Sequence, residues 1–108
     1  MGSRELLYKQ IVGKHRIDLT STTLSTGAWT QIIASLQAAC DAISVAYTGE
    51  GILKLSKNAG TTDLPVFITP GMDHDHAIPI NLAKGAVIHA ECLDQNVATG
   101  ELVINLYG

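Results

Sequence analysis

The feature that most restricts this chain is a period of two. From residue 51 onward, apolar side chains alternate with polar or small ones, and turn residues interrupt the alternation at short intervals. Leu53 and Leu55 alternate with Lys54 and Ser56, and Ile78, Ile80 and Leu82 with Pro79, Asn81 and Ala83. Ala86, Ile88, Ala90 and Cys92 oppose Val87, His89 and Glu91, and Leu102, Ile104 and Leu106 oppose Val103, Asn105 and Tyr107. Successive side chains on a strand point to opposite faces, so each set lays one apolar row on one side of a sheet. Between the sets stand Gly49-Glu50-Gly51, Asn58-Ala59-Gly60, Thr69-Pro70-Gly71, Lys84-Gly85 and Thr99-Gly100. These residue types make turns, and short strands spaced this way predict a sandwich or barrel.

Upstream the pattern is weaker. His15 to Leu19 and Leu64 to Ile68 read as two more strands, the second tolerating Pro65 because proline can begin or edge a sheet. Ala28 to Ile43 is ambiguous, since Trp29, Ile32, Ile33, Leu36, Ala39, Cys40 and Ile43 also fit a helical stripe. Two things oppose a helix: the β-branched residues within Thr30–Ile33, and the alternation of Ile43, Val45 and Tyr47, reached without a Gly or Pro stop. Two strands joined near Gln37 are predicted. The expectation is an all-β, antiparallel, jelly-roll-like β-sandwich of about eight strands. It occupies residues 15–108 and follows an N-terminal arm, residues 1–14. A chain of 108 residues holds one such domain, and its open sheet edges favour association with copies of itself or a partner.

Charge narrows the class of partner. The net charge is −3, whereas nucleic-acid binders carry a clustered basic face, so no nucleic-acid partner is expected. Residues 1–16 hold Arg4, Lys9, Lys14 and Arg16 against Glu5 alone, a net +3 that leaves −6 on the remainder. A basic arm of this kind can guide the chain onto an acidic neighbour. Arg4, Tyr8, Lys9, Ile11 and Lys14 are its candidate contact residues. No apolar run approaches the ~20 residues of a membrane helix and no signal peptide is recognised, so synthesis in a cytoplasm and no membrane partner are expected. Cys40 and Cys92 sit in strand-like surroundings and are expected as two buried thiols.

One motif has metal-site spacing. His74 and His76 form a His-x-His pair after Gly71, and two residues separated by one share a strand face, so both imidazoles could reach one ion. The pair resembles the start of the first cupin motif. In that motif a Glu follows four or five residues later, where this chain has Ile80 and Asn81, and His89 falls too early for the second cupin motif. Four polar residues after Pro70-Gly71 also suit a hydrated loop. No Gly-x-Ser-x-Gly elbow, phosphate-binding Gly loop or Cys-x-x-Cys pair is present, so no catalytic residue, metal or cofactor is assigned. The aromatics, Tyr8, Trp29, Tyr47, Phe67 and Tyr107, do not assemble into a sugar-stacking platform by inspection, and Trp29 is expected in the core or at a sheet end.

Several segments together carry a family resemblance. They are Gly27-Ala28-Trp29-Thr30-Gln31, Ile43-Ser44-Val45, Leu53-Lys54-Leu55, Ile68-Thr69-Pro70-Gly71, Ile78-Pro79-Ile80, Lys84-Gly85-Ala86 and Gly100-Glu101-Leu102-Val103-Ile104-Asn105. In this order the chain from Gly27 to Gly108 resembles the small β-rich virion proteins of tailed bacteriophages, of the capsid decoration or cement type. The resemblance implies a non-enzymatic homo-oligomer, a dimer or trimer, on the outer capsid surface of the virion. There it would bridge copies of the major capsid protein. Alternatives are a cupin-like metal-binding protein using His74 and His76, or a tail, receptor-binding or carbohydrate-binding module.

Overall fold

A computed structural model of the chain describes residues 10–57 and 62–108. The described strands are β1 (Ile11–Asp18), β2 (Thr30–Ile33), β3 (Cys40–Tyr47), β4 (Leu53–Lys57), β5 (Thr62–Ile68), β6 (Ile78–Leu82), β7 (Ile88–Cys92) and β8 (Glu101–Tyr107). No helix occurs among the described residues, so Ala28 to Ile43 forms two strands with the connection at Gln37, as the β-branched residues and the later alternation require. β1 begins at Ile11. Residues 11–14, which the sequence reading placed in the arm, are the first half of that strand.

The strands form two four-stranded sheets, β1-β8-β3-β6 and β2-β7-β4-β5. Every pairing is antiparallel, and the pairs β1 with β8, β2 with β7, β3 with β6 and β4 with β5 are those of one long hairpin rolled up on itself. That arrangement is the jelly roll. Only the β4–β5 connection stays within a sheet; every other crosses between the two.

Alternation supplies the interior. Leu102, Ile104 and Leu106 face Ile43, Val45 and Tyr47 across the β3–β8 ladder, while Leu53 and Leu55 face Cys92 and Ala90 across β4–β7. All of these side chains are buried in one continuous core. The space left between the sheets, walled by Leu36, Ile43, Leu55, Ile104 and their neighbours, is only ≈ 10 Å³. That is about one water centre, so the sandwich has no interior chamber.

The four edges of the two sheets are blunted. β1 carries a register shift between Ile11 and Gly13, and its Lys14 amide donates to Gln37 Oε1 at 3.0 Å, from the β2–β3 connection. Gly13 makes this possible, because a Cβ there would lie 2.6 Å from Gln37 Cγ. β2 has four residues and a register shift of its own. β5 and β6 contain Pro65 and Pro79, which lack the amide hydrogen another strand would use. Association through added strands is therefore disfavoured, and the faces are left as the sandwich's contact surfaces.

Candidate functional site

The sequence candidates fall in three places. Arg4, Tyr8 and Lys9 lie outside the described residues. Ile11 and Lys14 lie on β1, opposite Tyr107 and Asn105 of β8, and their side chains share the outer face of the first sheet. Ile11 is 59% exposed there. His74 and His76 lie in the connection between β5 and β6, not on a strand, so the shared strand face that a metal pair needs is missing.

What the structure builds around His74 is a polar network. Residues 71–74 continue the first sheet past β6: the Gly71 amide donates to the Tyr47 carbonyl, the Tyr47 amide to Met72, and the His74 amide to the Val45 carbonyl at 2.8 Å. His74 has φ 57°, the left-handed region that L residues rarely adopt. Its Nδ1 lies 2.7 Å from Ser44 Oγ, and Ser44 Oγ lies 3.0 Å from the Tyr107 hydroxyl. Two proton arrangements satisfy the chain: Tyr107 donates to Ser44 and Ser44 to His74 Nδ1, or His74 Nδ1–H donates to Ser44 and Ser44 to the Tyr107 oxygen. Asn105, opposite Ser44 on β8, has a buried Oδ1 with no hydrogen-bond partner among the described residues.

A Ser–His contact at 2.7 Å has the length of a nucleophile and its base. Ser44, however, is 0% exposed, so no substrate carbonyl can approach its hydroxyl. The network's effect is to pin the 69–77 connection onto the sheet. The sequence reading weighed His74 with His76 as a metal pair or part of a hydrated loop, and it missed Ser44, Asn105 and Tyr107. Ser44 is a small polar residue in the apolar run Ala42 to Tyr47 of β3, and that was the one available signal.

The remaining polar groups are structural. Both cysteines are free and buried, as expected, and burial raises the pKa of each thiol, away from nucleophilic reactivity. Tyr47 points inward; the Gly51 amide approaches its hydroxyl but falls short of hydrogen-bond geometry, and burial pushes the phenol up to about 12. Arg16 Nε donates to Glu101 Oε2 at 2.7 Å on the outer face of the first sheet. Among the described residues no three His, Cys, Asp or Glu side chains converge on a metal-sized site. A shallow depression of ≈ 260 Å³ lies at the end of the same sheet, lined by Ala39, Cys40, Asp41, Asn81 and Gly108.

The outer face of the second sheet differs. Phe67 is 56% exposed on β5 directly opposite Lys54, and Lys54 lies opposite Glu91 of β7. Thr30 pairs with Ala90 and Gln31 with His89, and the half-buried Trp29 immediately precedes β2. Glu91, Lys54 and Phe67 thus form one row across β7, β4 and β5, about 10 Å from end to end. The Leu93 amide donates to the Ile52 carbonyl, extending the β7–β4 ladder, and Leu93 is 46% exposed above the row. The sequence reading did not bring Glu91, Lys54 and Phe67 together, because the strand order that does so is non-local.

Comparison with known proteins returns no match: neither a family model, nor a curated protein, nor a solved structure resembles the chain.

Proposed function

We propose that this chain is a non-enzymatic virion structural protein, a capsid decoration or cement protein that binds and stabilises an assembled phage head. The observation that carries the reading is the closed interior. A jelly roll whose core leaves ≈ 10 Å³ offers partners its outside. The basic N-terminal segment leads into β1, an edge strand, where Ile11 and Lys14 already face outward beside it. In this reading the protein sits on the outer capsid surface of the virion and contacts the major capsid protein, with Arg4, Tyr8, Lys9, Ile11 and Lys14 at the seam. Many weak identical contacts on a shell act together, so small individual interfaces suffice.

The test is occupancy on shells assembled from the major capsid protein alone. The chain is expected to bind stoichiometrically and raise the shell's melting temperature, and a variant lacking residues 1–9 to bind markedly less. The truncation stops there because the Gln10 carbonyl accepts from the Gly108 amide and β1 starts at Ile11. Equal occupancy by the truncated and full chains would exclude the arm as the contact.

A further inference from the structure

β1 turns Gly13, His15 and Ile17 inward, opposite Leu106, Ile104 and Leu102 of β8. His15 is half-buried, and its Nε2 is buried with no hydrogen-bond partner among the described residues. No charge faces it that could receive an imidazolium. Lys14, Arg16 and Asp18 of β1 and Glu101 of β8 lie on the outer face, and the inward residues of β8 are aliphatic. Residues 19–39, which include β2 and the connection whose Gln37 bonds to β1, contain no ionisable side chain. His89 and Glu91 alternate with the buried Ile88, Ala90 and Cys92 of β7 and so point out of the core. The buried Cys40, Tyr47 and Cys92 stay neutral in acid.

The same strand is weakly held. β1 is an edge strand whose only ladder is to β8, and that ladder is interrupted between Ile11 and Gly13. Its eight residues bury one side chain, Ile17, because the other buried position is Gly13; β8 buries four in seven. Its ion pair, Arg16 with Glu101, is solvent-exposed and contributes little. The next residue, Leu19, is fully buried and its amide donates to the Gly100 carbonyl, so a separation that starts at Ile11 ends at Asp18.

We propose that β1 is an acid-released strand: a proton on His15 detaches Ile11–Asp18 from β8 while the rest of the sandwich stays folded. An imidazolium between the sheets lacks both water and a counter-charge, and parting one edge strand hydrates it while exposing far less apolar surface than opening the whole core. In the closed strand burial lowers the histidine's proton affinity, whereas in the released strand it returns to the ordinary 6.5. Each pH unit below 6.5 then raises the opening constant by up to ~10-fold, until the closed strand itself takes the proton. Release bares the edge of β8 and frees the point at which the basic N-terminal segment joins the sandwich. The inference does not depend on the virion reading, and its test uses the isolated protein without shells.

Backbone amide exchange at pH 7.5 and pH 5.0, corrected for the intrinsic effect of pH, reads the outcome. Protection of the β1 amides that bond to β8 should fall by ~10–30-fold in acid, while that of β3 and β4 holds. His15→Leu should make β1 protection independent of pH over this range. His15→Gln, polar but without a proton to gain, should do the same, and it replaces the leucine variant if that one does not fold. A fall below ~3-fold in the wild-type chain overturns the proposal. So does protection lost equally from β1, β3 and β4, which is global unfolding, and so does a pH dependence of β1 that survives the substitutions.

Discussion

On the outer face of the first sheet, β3 presents Ala42, Ser44 and Ala46, and the chain itself closes over them: residues 71–74 extend the sheet and His74 and Tyr107 meet on Ser44. On the second sheet the same positions of the central strands hold Lys54 and Glu91, flanked by the exposed Phe67 and Leu93. One face buries small residues and spends a strained histidine to do so. The other leaves large apolar groups in water beside a charge pair. Residues on the first face serve the fold, whereas Phe67 and Leu93 on the second are exposed apolar groups that burial in the core does not explain. Substitutions on the two faces therefore differ in what they cost the fold.

The largest effect belongs to what both faces share. Ile104 on β8 and Leu55 on β4 are buried between the sheets, where almost no void remains to absorb a deletion. Ile104→Ala and Leu55→Ala should each lower unfolding free energy by ~2–5 kcal/mol in urea titration. Equal losses from the two sheets are expected; a small loss in one would mean that its sheet packs independently of the other.

Ser44→Ala against Phe67→Ser tests the comparison itself. Removing the Ser44 hydroxyl leaves the Tyr107 hydroxyl and His74 Nδ1 facing each other without a bridge, at a cost of ~1–3 kcal/mol. Phe67→Ser on the outer face should change stability by no more than ~0.5 kcal/mol at concentrations where the chain is monomeric. If Phe67→Ser proves the more damaging of the two, the contrast between the faces is wrong.

His74 sharpens the same point by about 1 kcal/mol. Its left-handed backbone costs an L residue ~1–2 kcal/mol, which glycine avoids. His74→Gly and His74→Ala both lose the contact to Ser44, so the glycine variant should be the more stable of the pair. Equal thermal midpoints would show that the segment relaxes out of the left-handed region when the imidazole is gone.

Strands β6, β7 and β8 were legible from alternation, because each has one face in the core and one outside. β1 was legible only from His15 onward: the register shift between Ile11 and Gly13 breaks the period of two at the point where the arm boundary was placed. The two surfaces were not legible. Ser44 meets His74 because a connection thirty residues away returns to the edge of β3, and Glu91 shares a row with Phe67 only through the order β7-β4-β5. A His-x-His spacing suggests a metal pair only if both residues are on a strand. The positive φ that turns His74 toward Ser44 is a backbone property that sequence spacing does not carry.

The smallest effect concerns acid. His15 lies on the inner row of β1, opposite Ile104, with Nε2 buried and without a partner among the described residues, and burial lowers its pKa below the ordinary 6.5. The unfolded chain binds that proton with ordinary affinity, so below pH 6.5 the unfolded state holds more protons than the folded one. Stability is then intact above 6.5 and is lost as the pH falls through the lowered folded value. Asp18 acts in a more acid window. Its carboxylate accepts from Thr20 Oγ1 at 2.6 Å and from the Thr20 amide at 3.0 Å, and these bonds hold its pKa below 3.8. Its share is present above 3.8 and is lost as the pH falls through its own depressed value. His15→Leu removes the first loss and leaves the second. Because it replaces an unpaired buried nitrogen with an apolar group, it should leave stability at pH 7.5 unchanged or raised. Thermal melts of both proteins from pH 7.5 to pH 4.5 read the difference as a flattened slope just below 6.5 in the leucine variant. A slope that survives the substitution assigns the first acid loss to one of the histidines outside the core, and places the pH sensitivity on the faces of the sandwich instead of between its sheets.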